Sequence, residues 1–107
     1  MANMMQMMAK AQQFKSKMQE MQVRVQATDV DGQAGNGLVT CRVSGKFELK
    51  MLKIDPSVID PNDKEMMEDL IVAAVNDARN KAEALMQSET EKLMKDMGLP
   101  PNLGLPF

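Results

Sequence analysis

The chain has no histidine, no tyrosine and no tryptophan, and its aromatic content is three phenylalanines in 107 residues. Without His, acid–base catalysis by an imidazole near neutral pH is excluded. Without an aromatic platform, stacking of single-stranded bases has little to stand on. The single cysteine, Cys41, forms no intramolecular disulfide, which fits a reducing cytoplasm. No apolar run approaches the length of a membrane span, so no membrane partner is expected. The Met-rich start is interrupted by Asn3 and Gln6 and lacks a basic leader and a small-residue cleavage site, so a signal peptide is not expected. Ala2 breaks the myristoylation pattern.

The motifs of cofactor and metal chemistry are missing as well. Gly45-Lys46 looks like the end of a phosphate-binding loop, but the glycine required five residues earlier is Thr40. Gly32, Gly35 and Gly37 have the wrong order for a dinucleotide fingerprint. Asp29-Val30-Asp31-Gly32 resembles a calcium loop, yet Ala34 stands at its obligatory glycine. Glu65, Glu68 and Asp69 have no His or Cys beside them and read as an acidic first helical turn complementing the helix dipole. Cys41, in mid-strand on the more apolar face, reads as a buried inert thiol. A non-enzyme without metal, cofactor or small-molecule substrate is expected.

What the chain does have is a seam. Met4, Met7, Ala11, Phe14, Met18, Met21 and Val25 alternate in steps of three and four, an unbroken heptad pattern with every a and d position apolar. Such a coiled-coil surface requires another helix, and all seven residues are assigned to a dimer interface. On the same wheel Lys10, Lys17 and Arg24 share position g and form a cationic stripe. The net charge of −2 conceals an asymmetry. Residues 1–27 carry Lys10, Lys15, Lys17 and Arg24 against Glu20 alone, whereas residues 61–107 carry five cations and nine acids. Four of the thirteen methionines fall on this seam, where they read as a loosely specified apolar packing surface.

The pattern predicts an α+β chain of order α-β-β-β-α. A first helix covers about 3–27, free of Gly and Pro. A short strand at about 28–33 pairs across the Asn36-Gly37 turn with a strand at 38–44, in which Val39, Cys41 and Val43 share a face. After Ser44-Gly45-Lys46 a third strand covers 47–54. Its alternation is imperfect, so either a bulge re-phases it or both faces are partly covered. Phe14 and Phe47 are assigned to the core. Asp60-Pro61 looks like an N-cap with proline at the first helical position, in competition with an Asn62/Glu65 capping box. The second helix buries Met67, Leu70, Ile71, Ala74, Ala78, Ala82 and Leu85. It is expected to continue through the polar stretch 87–92 to Met97, though a hinge near Gln87 is an alternative, and Gly98 and Pro100 stop it. Residues 1–98 are read as one domain and 99–107 as a Pro-rich apolar tail. The helices, at ~1.5 Å per residue, reach ~37 and ~50 Å and overhang a compact globule, which favours a second copy of the chain as cover.

With that order in place, the chain resembles the YbaB/EbfC family of nucleoid-associated proteins. The resemblance rests on Met4-Met5-Gln6-Met7-Met8, Gly35-Asn36-Gly37-Leu38-Val39, Ile54-Asp55-Pro56-Ser57, Asp69-Leu70-Ile71, Ala73-Ala74-Val75-Asn76-Asp77-Ala78 and Gly98-Leu99-Pro100-Pro101. It implies a tweezer-like homodimer that binds double-stranded DNA in the cytoplasm, on the nucleoid, with a link to chromosome organisation, gene regulation, or recombination and replication proteins. No compact residue signature for DNA contact comes with it. The DNA contacts are therefore assigned from the helical wheel: Lys10, Lys15, Lys17 and Arg24, with Arg79, Lys81, Lys92 and Lys95 as secondary candidates. Gln12, Gln13 and Gln19 on the outer face leave room for modest base preference. Two alternatives stay open. The g-position cations Lys10, Lys17 and Arg24 can instead pair with acids of the second helix and with neighbouring side chains. And the chain can be a helical adaptor that docks onto a protein through its Met-rich seam or its tail.

Overall fold

The computed structural model of the chain describes residues 3–99, in the order α1 (Asn3–Gln26), β1 (Asp29–Ala34), β2 (Val39–Ser44), β3 (Leu49–Ile54), a 3-10 turn (Pro56–Val58) and α2 (Lys64–Asp96). The tail from residue 100 onward lies outside the described residues. The strands form an antiparallel meander, β1-β2-β3.

Glycine and asparagine set the first hairpin. Asn36 and Gly37 both take positive φ, 56° and 90°, and the amide of Leu38 donates to the carbonyl of Gly35 at 3.2 Å, the pattern of a type I′ turn. The second hairpin is closed differently. Phe47 donates its amide to the Ser44 carbonyl and itself takes φ 67°, the left-handed position that usually falls to glycine. Phe47 is thus outside the strand and 44% exposed, not in the core. Phe14 is half-buried, against the α1–α2 contact.

A bulge in β3 explains the broken alternation. Arg42 pairs with Met51 but Val43 pairs with Leu49, leaving Lys50 as the extra residue. The bulge brings Leu49, Leu52 and Ile54 to the face carrying Val43, Cys41 and Val39, because directly paired residues share a face.

The first half of α2 lies on that face. Ala74 and Ala78 are fully buried against Val39, Cys41 and Val43, with Val30, Ala34, Leu70, Ile71 and Val75 around them. Small residues let the helix backbone approach closely. A Cβ on Gly32 of β1 would collide with the Ala74 carbonyl oxygen and the Ala78 amide nitrogen. Gly32→Ala is therefore expected to cost about 3 kcal/mol through forced separation of helix and sheet, lowering the thermal midpoint by ~10 °C or more in a calorimetric scan. An unchanged midpoint would mean that the helix can slide without loss.

The second half of α2 leaves the sheet and packs on α1. Met18, Met21 and Val25 are buried there against Leu85, Met86 and Leu93. The helix stays continuous through residues 87–92 because Thr90 supplies the inward position. Its side chain is buried and its hydroxyl donates to the Met86 carbonyl at 2.8 Å. Neither anticipated cap starts α2. Asp60 instead accepts from the Asn62 amide at 2.9 Å in a local turn, and Asp63 caps the helix by accepting from Met66. Two Asp-containing signals only three residues apart compete here, and the one nearer the apolar stripe wins. At the other end Gly98 takes φ 71°, its amide donates to Lys95 and the Leu99 amide donates to Met94, a Schellman closure.

The result is a body, the sheet under the first half of α2, and an arm, α1 with the second half of α2. The principal extents are 74 × 22 × 18 Å and the radius of gyration is 19.6 Å, against ~13 Å for a compact chain of this length.

Candidate nucleic-acid interface

The arm is built from the seam, but its geometry reassigns half of it. Met18, Met21 and Val25 are spent on the chain's own α2 and are unavailable to a second copy; Phe14 is partly spent in the same way. The reason is connectivity. Three short strands leave the chain at the end of the sheet far from α1, and α2 runs back over the sheet and on along α1, so a covalently attached helix reaches the seam before any second molecule can. Met4, Met7 and Ala11 remain exposed.

Arg24 sits opposite Glu89, while Lys17 and Asp96 line one cleft, so the two helices run antiparallel. That cleft, about 170 Å³, is lined by Lys17, Glu20, Met21, Arg24, Glu89, Lys92, Leu93 and Asp96. Three cations face three acids, so it is a neutral seam between helices rather than an anion pocket. Arg24 donates to Glu89 at 2.8 Å, and Lys92 lies 3.7 Å from the same carboxylate. For Arg24 the pairing alternative is the one observed, and Lys92 shares the same carboxylate from within α2.

The other candidates separate into two groups. Lys10, Lys15, Lys17 and Lys95 are exposed and make no ion pair among the described residues. They all belong to the arm. Arg79 and Lys81 lie on the body, on opposite flanks of α2. The Arg79 guanidinium stands 5.4 Å from the Phe47 ring centroid, a cation–π contact. Lys81 is 3.1 Å from Asp77, whose carboxylate also accepts the Gln33 amide at 3.0 Å. That backbone hydrogen bond first, and Lys81 second, hold the Asp77 carboxyl below the usual carboxylate range. The pair ties α2 to the β1 edge.

The solvent face of the sheet is also ion-paired. Arg42 donates to Asp31 at 2.9 Å and Lys50 approaches Asp29 at 3.4 Å. The Arg42 contact lowers the Asp31 carboxyl. Cys41 donates its thiol to the Ala74 carbonyl at 3.2 Å, and burial pushes its pKa up. It is a packing residue. Among the described residues no group of three or more His, Cys, Asp or Glu side chains is placed to hold a metal.

Two details have no clear local signal in the sequence. That Glu89 is the acid holding Arg24 depends on the register of two helices, between residues sixty-five apart. Phe47 takes a glycine-type backbone conformation beside Arg79. The three-residue spacing from Ser44 was the available signal for its position, a type I turn followed by a left-handed residue.

The cations without an ion pair among the described residues thus stand on an elongated two-helix arm, and known proteins resemble this chain in sequence and in fold. The model of the YbaB/EbfC DNA-binding family matches residues 1–97. A nucleoid-associated protein of Rhodospirillum centenum is 51% identical over 107 residues, all of both chains. One from Nitrobacter winogradskyi is 49% identical over 104 residues, 97% of this chain and 98% of that one. An uncharacterized protein from Helicobacter pylori, solved by crystallography, superposes with a TM-score of 0.60 at 26% identity, over 73% of this chain and 90% of that one. The chain belongs to the YbaB/EbfC DNA-binding family.

Proposed function

We propose that this chain is a non-enzymatic, homodimeric, nucleoid-associated protein that binds double-stranded DNA mainly through backbone phosphates, in the cytoplasm, with its role in chromosome organisation. The observation that carries this reading is the charge of the arm. Lys10, Lys15 and Lys17 project from α1 without an ion-pair partner among the described residues, and no acid precedes Glu20. Three cations on one helix, repeated by symmetry, form an electrostatic footprint for a polyanion on an otherwise acidic molecule. The names of the relatives support the same reading. Lys95 joins this set from the end of α2. Arg24 and Lys92 are weaker contributors because Glu89 competes for them. Arg79 and Lys81 belong to the body and drop out of the phosphate-binding set.

The second copy sits on the body rather than on the seam. α2 lies over β1 and β2 and leaves the apolar face of β3 open, where Leu49 and Leu52 are 50% and 40% exposed. Val72 and half-buried Ile71 and Val75 continue that patch along the neighbouring flank of α2. A contiguous apolar patch of this kind marks an association surface. Pairing there leaves two arms projecting from one joined body, a tweezer.

Fluorescence anisotropy with a labelled duplex at two salt concentrations, combined with sedimentation of the free protein, tests both parts. The expected result is a dimer whose duplex affinity falls steeply with salt. A dimer indifferent to DNA would favour the adaptor reading instead, and a folded monomer would remove the tweezer.

A further inference from the structure

The arm does not end where its two helices end together. Asp96, the last residue of α2, lines the cleft at the level of Lys17. α1 therefore continues beyond it, and every residue from Asn3 to Gln13 is exposed. At ~1.5 Å per residue this overhang is ~16 Å long. It carries Met4, Met5, Met7 and Met8 at 78, 82, 69 and 62% exposure, four of the most exposed large apolar side chains in the described chain. Met4 and Met7 continue the face that packs on α2 lower down, so this is a packing ridge with its partner withdrawn. Lys10 and Lys15 fall on either side of that ridge on the helical wheel.

Resting on the DNA-binding reading above, we propose that the overhanging turns of α1 insert methionine side chains between base-pair steps from the minor groove, so that the protein kinks the duplex it binds. Three observations point to DNA as the occupant. The ridge is flanked by cations, and no acid occurs before Glu20, a charge pattern complementary to two phosphate strands bordering a groove. The wedge is made of methionine, an unbranched and polarizable side chain that enters a groove only ~6 Å wide more readily than a branched one. Apolar wedges of this kind, Met among them, unstack base steps in minor-groove architectural proteins. Finally, Gln6, Gln12 and Gln13 share the overhang and can donate and accept at groove edges. An anionic bilayer fits less well. Its peripheral helices present bulkier Trp, Phe and Leu side chains over a longer apolar face.

The test compares full-length wild type with M4Q/M5Q/M7Q/M8Q, since Gln keeps a helix propensity close to that of Met. The same labelled duplex reports binding by anisotropy, bending by end-to-end energy transfer, and unstacking by 2-aminopurine placed at a TA step. Wild type is expected to raise both the transfer efficiency and the 2-aminopurine emission at saturation. The quadruple variant should stay dimeric, keep its salt slope and lose no more than about tenfold in affinity, with neither bend nor unstacking signal. A Met-to-Leu version at the same positions should restore both signals in part, since Leu is an apolar wedge but a branched one. Wild type that binds without bending or unstacking overturns the proposal, and so does a quadruple variant that bends as well as wild type. Loss of dimerisation in that variant would assign the ridge to a second copy. Methionine-dependent binding to phosphatidylglycerol vesicles in place of DNA would assign it to a membrane. A wild type that fails to bind duplex at all defeats the underlying DNA reading; anisotropy registers that failure separately from the absence of bending.

Discussion

Replacing Lys10, Lys15 and Lys17 together by Gln is expected to abolish most duplex affinity while leaving the fold intact. Each phosphate contact contributes a slope of about 0.9 in log K against log salt, so six contacts in a dimer contribute about 5. Losing them at roughly 0.15 M salt weakens binding by two to four orders of magnitude. The loss should be uniform across duplex sequences, because phosphate contacts position the protein without reading bases. Stability should barely move. All three side chains are exposed and make no ion pair among the described residues, and exposed positions of this kind stay within about ±0.5 kcal/mol. Arg24→Gln alone should have a smaller effect than any of the three lysines, because Glu89 already holds the guanidinium at 2.8 Å. Glu89→Gln is the complementary change. It releases Arg24 and Lys92 and should strengthen binding severalfold at low salt, where electrostatics are least screened. Anisotropy titrations at three or more salt concentrations measure all of these. If the triple variant retains both affinity and salt slope, DNA contact lies elsewhere than on α1.

The element order was legible because each boundary has a local cause. The first hairpin rests on Gly35-Asn36-Gly37, where positive φ is required at three successive positions. β2 rests on Val39, Cys41 and Val43, all buried as their alternation demands. The end of α2 rests on Gly98 in the left-handed region. What was not legible depends on choices between non-local partners. The heptad seam states that a helix must pack on Met18, Met21 and Val25, but a seam looks the same whether its partner is covalently attached or a second molecule. The start of α2 was misplaced because Asp60 and Asp63 offer equivalent side-chain acceptors, and only the position of the stripe beginning at Met67 decides between them. The stretch from Gln87 to Lys92 looks polar, yet Thr90 is an inward residue there because its hydroxyl can bond the carbonyl one turn back. Phe47 shares the parity of Leu49 and Met51 and so reads as a core residue of the third strand. It ended outside because the turn that follows Ser44 needs one residue in the left-handed region at that position.

The same division between arm and body makes Met21→Asp the most disruptive single change expected in the chain. Met21 is 2% exposed and lies at the centre of the α1–α2 contact, with Met18 and Val25 beside it and Leu85, Met86 and Leu93 opposite. Removing the thioether chain forfeits about 2–5 kcal/mol of packing. Burying a carboxylate there without a partner adds several kcal/mol more, unless the helices separate to let water in. Both together compare with the ~5–15 kcal/mol that holds an average domain. Separation is the cheaper outcome, because the body has its own cluster around Val39, Cys41, Val43, Ala74 and Ala78. The variant should therefore lose much of its helical circular dichroism and become sensitive to protease within residues 3–26, while the sheet signal persists. It keeps every cation of the arm, yet its duplex affinity should collapse, since a frayed α1 no longer presents Lys10, Lys15 and Lys17 in register. Met21→Leu is the control, conserving volume and polarity at a cost below about 1.5 kcal/mol. Protease mapping alongside anisotropy separates the outcomes. Wild-type helicity and protease resistance in Met21→Asp would show that α1 does not depend on this contact, and wild-type affinity in a variant with a frayed α1 would show that DNA recognition does not need the arm to be rigid.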